Sequence, residues 1–297
     1  MTFSEIVKKL SDGGVDSASF EASELICHFE NVSRASCRFG DYSSDGLMAA
    51  IDRRIGGEAL QYIIGEWDFM GYTFKVSPAC LIPRADTELL CSYICENAPK
   101  GARIADLCTG SGCIAIAALL EREDLTAVAV ELYPETLELA KENARLLGVA
   151  DRIEFILGDV TTDTLTGEFD IIASNPPYIA LEEMESLDTE VLGEPHHALT
   201  DGGDGLSIIR KIIEIYPSHL KEGAPIAMEI GWQQGKAVTE IAEGFGLSAS
   251  LLKDIEGRDR VIVINKEEKE GGILKYLIRL CETVSRPPEF VSAFHIK

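Results

Sequence analysis

Residues 102–112 read ARIADLCTGSG, and the reading of this stretch decides the fold. Residues 102–108 form a nearly continuous apolar run of strand length. Asp106-Leu107-Cys108-Thr109-Gly110-Ser111-Gly112 then turns that strand into a helical pattern at about 112–121. Glycines at such a turn let the backbone bend sharply and approach a ligand. Working outward, strand and helix alternate. Strands are predicted at 126–131 (TAVAVE), 153–158 (IEFILG), 169–174 (FDIIAS), 225–230 (PIAMEI), near 248–254, and at 260–265 (RVIVIN), with a further helix at about 134–147. Apolar strands spaced by helices predict an α/β fold, doubly wound about a mostly parallel seven-stranded sheet covered on both faces. The last two strands are joined by Glu256-Gly257-Arg258-Asp259, which leaves no room for a helix, so they are expected to pair antiparallel.

Residues 1–65 read as helices. Thr2 followed by Glu5 is a capping-box pattern, and Phe3, Ile6, Val7 and Leu10 form one apolar face that Gly13-Gly14 ends. A second helix follows Asp16 or Ser17, with Phe20, Leu25, Ile26 and Phe29 expected inward. A third runs from Ser44 through Leu47, Ile51 and Ile55 to Gly56-Gly57. Trp67, Phe69, Tyr72, Phe74 and Val76 then mark two short strands around Met70-Gly71, a hairpin signal. The chain therefore divides into a small helical domain at 1–65, a β-hairpin linker at 66–84, a large α/β domain at 85–284 and a tail at 285–297 without clear pattern. Residues 179–204 carry no strong periodic element, and a segment of that length is expected to act as a binding loop or lid.

Composition narrows the function classes. The 297 residues hold 27 basic and 50 acidic side chains, a formal charge of −23. Residues 1–80 contribute 7 basic and 12 acidic of these, so the excess lies mainly in the larger domain. Phosphate contacts need Lys and Arg, so a broad nucleic-acid surface is disfavoured. Apolar residues make up 46 %, enough for a real core. No run approaches the roughly 18 apolar residues of a membrane span. The N-terminus MTFSEIVKKL lacks the apolar segment of a signal peptide, which makes the cytoplasm the expected location. The eight cysteines (27, 37, 80, 91, 95, 108, 113 and 281) show no metal-pair spacing and are expected as reduced, packed thiols, with no metal.

Two signals carry chemistry. Glu131 ends the second strand of the α/β region, 25 residues after Asp106, where a carboxylate can accept the two hydroxyls of an adenosine ribose. The glycine loop lacks a full G-x-G-x-x-G and a following Gly-Lys-Ser/Thr, which disfavours dinucleotides and nucleoside triphosphates. Asn175-Pro176-Pro177-Tyr178 follows the strand at 169–174 and so points into the same crevice. Asn175 offers a side-chain carbonyl, Pro176 a backbone carbonyl on a rigid chain, and Tyr178 a flat face. Together they suit a planar –NH2 group whose nitrogen is to be oriented.

These features resemble those of S-adenosylmethionine-dependent amino-group methyltransferases, and one branch closely: the release-factor glutamine methyltransferases. The resemblance runs over about residues 2–266. It includes Gln61 to Glu66 before the hairpin, Leu81-Ile82-Pro83-Arg84-Ala85-Asp86-Thr87-Glu88 in the linker, and Ser174 to Ile179. It continues through Glu194-Pro195, Ala198-Leu199, Gly202 to Leu206, Glu229-Ile230-Gly231 with Gln234, and Asp254 through Gly257 to Arg260-Val261. The chain departs from the family in four places. Ala85-Asp86 stands for the usual Pro-Glu, Cys108 for a frequent glycine, Asp159-Val160 for an acid followed by an aromatic, and His196-His197 for a basic residue after Glu-Pro.

The resemblance implies a seven-stranded methyltransferase sheet and methyl transfer to the glutamine amide of the Gly-Gly-Gln motif in peptide chain release factors. It implies Asn175, Pro176, Pro177 and Tyr178 as catalytic residues. Cys108, Thr109, Gly110, Ser111, Gly112, Glu131, Asp159, Val160 and Asn175 would hold S-adenosylmethionine, which leaves as S-adenosylhomocysteine. Arg84, Thr87 and Glu88 either brace the substrate pocket, or Asp86 or Thr87 merely caps the helix containing Leu89 and Leu90 and Arg84 pairs with a surface acid. The enzyme is expected to act as a monomer, with the N-terminal helices as a second contact surface for its protein substrate. Rival readings are the same chemistry on a ribosomal-protein glutamine, a nucleic-acid adenine amino-methyltransferase, which would have to extrude its base, and a non-catalytic binding protein.

Overall fold

The computed structural model describes residues 1–266; Cys281, the end of the 85–284 unit and the tail from 285 lie outside the described residues. Helix α1 (Phe3–Asp12) starts in a reciprocal capping box: Glu5 N–H donates to Thr2 Oγ1 at 3.3 Å, and Thr2 N–H to the Glu5 carboxylate at 2.7 Å. Helix α2 (Ala18–Glu30) and helix α3 (Asp45–Ile55), the latter capped by Ser44, pack with it around Ile6, Leu10, Leu25, Ile26, Leu47 and Ile51. Phe20 departs from the expectation and is 44 % exposed, with the Arg34 guanidinium 5.4 Å from its ring. The inward stripe of α2 is Ala18, Ala22, Leu25 and Ile26, and Phe20 falls on the far side of it. A short helix not read from the sequence, α4 (Leu60–Ile64), leads into the hairpin.

Strands β1 (Glu66–Phe69) and β2 (Tyr72–Lys75) pair antiparallel across Met70-Gly71, both of positive φ as a two-residue hairpin turn requires. Phe69 and Phe74 meet edge to face and pack with Leu90, Cys91 and Ile94, whereas Trp67 packs on the N-terminal helices. The hairpin thus touches both parts of the molecule.

The main sheet holds β3 (Arg103–Leu107), β4 (Thr126–Glu131), β5 (Ile153–Leu157), β6 (Ile171–Ser174), β7 (Ile226–Glu229), β8 (Leu247–Lys253) and β9 (Asp259–Lys266). Their order is β5-β4-β3-β6-β7-β9-β8. All pairs are parallel except those of β9, which runs antiparallel to β7 and β8. Alternate residues of a strand serve opposite faces. Ile104, Ile171 and Ala173 face α5 (Glu88–Asn97), α6 (Cys113–Glu121) and α7 (Pro134–Leu146). Ala105, Leu107 and Ile172 belong to the other core.

The 179–204 segment is not structureless. It forms a 3₁₀ turn (Leu181–Ser186) and two single-turn helices, α8 (Thr189–Leu192) and α9 (His196–Leu199). Two further helices absent from the sequence reading, α10 (Ser207–Ile215) and α11 (Gly235–Gly244), cover the second face through Ile209, Ile212, Ile213, Val238 and Ala242. No helix among the described residues is long and apolar enough to cross a membrane.

Strand order reverses at β3. The chain steps outward through β4 and β5, then returns to place β6 on the other side of β3. A crevice therefore opens at the carboxyl ends of β3 and β6, the general place for a ligand in such sheets.

Candidate active site

A cavity of about 370 Å³ lies at that switch point. Of the residues singled out in the sequence, Cys108, Thr109, Gly110, Ser111, Glu131, Asp159, Val160, Asn175 and Pro177 line it. Gly112, Pro176 and Tyr178 do not. Arg84 and Thr87, and His197, Ala198, Thr200 and Asp201 of the expected binding loop, line it too, while Ala79, Cys80, Gly158, Thr161, Leu132, Tyr133 and Thr136 carried no sequence signal as cavity walls.

The loop after β3 is shaped by its backbone. Cys108 stands at φ 60°, where a side chain is strained and glycine is free, the physical reason for glycine at this place in similar chains. A Cβ on Gly112 would lie 2.7 Å from Ile116 Cδ1 and 3.3 Å from Ala140 Cβ, so α6 and α7 can pack close only because none is there. Asp106 is fully buried at the end of β3. Its Oδ2 accepts from Thr109 Oγ1 at 2.6 Å and Ala115 N at 3.3 Å, while its Oδ1 and the nearby Ser111 Oγ have no partner. Burial pushes the Asp106 carboxyl up to about 7. At the end of β4, Glu131 accepts from Gly110 N through one oxygen (3.0 Å) and from Leu132 N and Tyr133 N through the other (2.9 and 3.1 Å). Val160 is buried beside it, and Asp159 closes a local turn by accepting from Thr161 N and Oγ1.

The opposite wall is the loop after β6. Ser174 Oγ donates to the Leu107 carbonyl at 2.8 Å and ties β6 to β3 across the switch point. Asn175 Nδ2 donates to Thr87 Oγ1 at 3.1 Å, and Thr87 Oγ1 donates to Glu229 Oε2 at 2.6 Å. Tyr178 does not present its ring to the cavity as the sequence suggested; its hydroxyl donates to Glu229 Oε1 at 3.0 Å. Burial and that carboxylate push the phenol above its usual range. Gln234 Nε2 holds the Tyr178 carbonyl at 2.7 Å. Gly205, at φ 74°, lies so close that a Cβ there would sit 2.1 Å from that carbonyl oxygen. The NPPY loop is thus clamped from three sides.

The linker is held to the same wall. Thr87 makes no capping hydrogen bond, and Asp86 pairs with Arg260 at 3.0 Å. Arg84 forms an ion pair with Glu194, a buried acid rather than a surface one, and Glu194 also accepts from Ile82 N at 3.1 Å. Glu88 accepts from Met70 N at 2.9 Å in the hairpin turn. Of the two histidines, His197 lines the cavity with its ring centroid 3.8 Å from that of Tyr133. Burial pulls this imidazole below its usual range, with the Glu131 charge acting in the opposite sense. Arg54 of α3 pairs with Glu190 of α8, which links the N-terminal helices to the segment over the site.

The methyltransferase small domain family matches residues 85–224. The chain is 39 % identical over 264 residues to the release factor glutamine methyltransferase of Cereibacter sphaeroides, covering 86 % of this chain and 94 % of that protein. It is 34 % identical over 275 residues to the protein of the same name from Moorella thermoacetica, with 89 % and 97 % covered. Against that of Bacillus subtilis it is 40 % identical over 217 residues, 69 % of this chain and 75 % of the other. In fold it is similar to a solved methyltransferase from Pyrococcus furiosus, with a TM-score of 0.52, 18 % identity, and 67 % and 90 % of the two chains covered.

Proposed function

The chain belongs to the release factor glutamine methyltransferase family, and on that premise we propose that it methylates one amide. The reaction is transfer of the methyl group of S-adenosylmethionine to the side-chain nitrogen of the glutamine in the Gly-Gly-Gln motif of peptide chain release factors. The observation that supports this most is the convergence of residues 108–111, Glu131 and Asn175 on one cavity.

The residues present fit the cofactor. Glu131 suits the ribose hydroxyls at the end of β4. Asp106 Oδ1 and Ser111 Oγ are buried beside the loop without partners, and they suit the charged, N–H-bearing methionine end. Cys108 to Gly112 would hold that end, and Asp159 and Val160 would border the adenine. When bound, S-adenosylmethionine carries an electrophilic methyl on its sulfonium and leaves as S-adenosylhomocysteine.

The chain's own residues then act on the substrate amide. Asn175 Oδ1 accepts one N–H of the amide, and the carbonyl of the adjacent Pro176, which is outside the cavity lining in this structure, is the proposed acceptor of the other; both bonds make the nitrogen more electron-rich as the transition state forms. Pro176 and Pro177 keep those acceptors fixed. Holding nitrogen and methyl near contact contributes several kcal/mol by orientation, with about 7–11 kcal/mol the ceiling for well-aligned pairs. The amide proton leaves after attack, so no general base is required beforehand. Residues 1–65 serve as the recognition domain, 66–84 as the linker and 85–284 as the methyltransferase domain. The enzyme works as a cytoplasmic monomer without binding nucleic acid directly.

Mass spectrometry of a purified release factor incubated with this protein and S-adenosylmethionine tests the proposal. One added methyl is expected on the wild-type factor and none on a copy whose Gly-Gly-Gln glutamine is changed to alanine. Methylation of both copies, or of neither, would sink it. For the cofactor, Glu131→Ala leaves two hydroxyls and three backbone N–H groups without their acceptor. A loss of about 1–3 kcal/mol in cofactor binding is expected, roughly 10- to 100-fold in Kd. Titration calorimetry with S-adenosylhomocysteine reads it, and an unchanged Kd would remove Glu131 from the ribose site.

A further inference from the structure

A carboxamide has two ends of opposite polarity and nearly equal shape, so what a catalytic asparagine can do depends on which end faces the substrate. Here a chain of hydrogen bonds decides it. Glu229 closes β7 and is about 1 % exposed. Both of its oxygens are taken by hydroxyls, Oε2 by Thr87 at 2.6 Å and Oε1 by Tyr178 at 3.0 Å. Burial raises this carboxyl above its usual range, with the two hydroxyl donors and the Arg260 charge acting in the opposite sense and Asp86 adding to the rise. In this arrangement both hydroxyls donate and both carboxyl oxygens accept. The single proton of Thr87 is therefore committed to Glu229, and Thr87 Oγ1 has only lone pairs left for its next neighbour. That neighbour is the Asn175 carboxamide at 3.1 Å, which must offer its –NH2.

We infer that Thr87 and Glu229 are positioning residues that fix the polarity of Asn175, directing its –NH2 into the wall and its carbonyl Oδ1 into the cavity. This deepens the function proposed above and rests on it. With Oδ1 outward, the site accepts a hydrogen bond from a primary amide and opposes a carboxylate, so Thr87 and Glu229 help select glutamine over glutamate. The sequence separations, 88 residues from Thr87 to Asn175 and 142 from Thr87 to Glu229, mean that no local pattern carries this arrangement.

The test uses the full chain with Thr87→Val, Thr87→Ser and Glu229→Gln. Valine keeps the shape of threonine and removes both hydrogen bonds; serine keeps both. Glutamine at 229 keeps the buried volume but faces two hydroxyl donors with one acceptor and one donor. Methyl transfer to release factor, cofactor Kd and the side-chain amide resonance of Asn175, assigned by its loss in Asn175→Ala, are measured together. Thr87→Val and Glu229→Gln are expected to lower kcat at least tenfold with cofactor Kd within threefold of wild type. Thr87→Ser is expected to keep kcat within threefold. The Asn175 amide resonance should shift in Thr87→Val and stay in place in Thr87→Ser. Wild-type kcat in both Thr87→Val and Glu229→Gln, or equal loss in Thr87→Val and Thr87→Ser, would overturn the inference. If Thr87→Val does not fold, Glu229→Gln decides alone. If the wild-type enzyme leaves release factor unmethylated, the substrate reading fails by itself and the resonance decides the relay. A shift in Thr87→Val reversed in Thr87→Ser upholds it, and an unmoved resonance overturns it.

Discussion

Asn175→Ala should lower kcat for release-factor methylation by about 100- to 1000-fold, the loss that follows removal of one preorganised hydrogen-bonding group from a transition-state site. The size of the effect comes from where the residue sits. Asn175 is at the carboxyl end of β6, on the cavity wall, with its –NH2 already bound to Thr87. Alanine leaves the substrate amide one acceptor short on the cavity wall. It also leaves the Thr87 hydroxyl without its second partner, while Thr87 and Tyr178 remain on Glu229. The loop therefore keeps its shape. Cofactor binding should weaken far less than kcat, by under about tenfold, because a single neutral contact is removed. Single-turnover methyl transfer at saturating cofactor, beside calorimetry with S-adenosylhomocysteine, separates the two. A variant that retains a tenth or more of wild-type kcat would take Asn175 out of the reaction.

The second large effect is on stability, and it depends on pH. Burial pushes Asp106 up to about 7, against 3.8 for an exposed aspartate. Between those pH values the folded protein holds a proton at this carboxyl that the unfolded chain has released. The cofactor-free protein therefore loses stability as pH rises from about 4 to about 7, and above that the loss is complete. The penalty is on the order of 4 kcal/mol. Asparagine at 106 has nothing to ionise, and its carbonyl can still accept from Thr109 and Ala115. Asp106→Asn should thus match wild type in Tm near pH 4.5 and exceed it at pH 8 by roughly 5–10 °C. Thermal unfolding at the two pH values, compared between the two proteins, cancels charge effects common to both. A difference in Tm that does not grow with pH would show that Asp106 is not the group responsible.

Much of the site was legible because its parts are local. Residues 102–112 carry strand, turn and helix within one window, and Asn175 to Tyr178 are consecutive. Glu131 lies at a strand end fixed by the alternation of strand and helix. Strand pairing at β8 and β9 followed from a connection too short for a helix. Apart from α10 and α11, which are long enough to show a helical period, what escaped was of two kinds. α4, α8 and α9 are one turn or little more, too short for a 3.6-residue period to declare itself. The role of Glu229 depends on partners 51 and 142 residues away, which no spacing encodes. Phe20 failed for a third reason: apolar character was read as burial, although the stripe of small residues in α2 points elsewhere.

The place of β9 between β7 and β8 bears on how the protein is made. A ribosome delivers β7 well before β9, yet β9 fills the position next to it in the sheet. Until residue 266 has emerged, the parallel sheet ends in an unpaired edge at β7, the kind of surface that other chains can pair with. Arg260, which anchors Asp86 and sits near Glu229, arrives on that same last strand. At about 5–20 residues per second, the NPPY loop waits roughly 4–17 s between the synthesis of Asn175 and that of Arg260. The β7 edge is therefore covered among the last steps of assembly during translation, and a nascent chain stalled before β9 is open to aggregation at that edge.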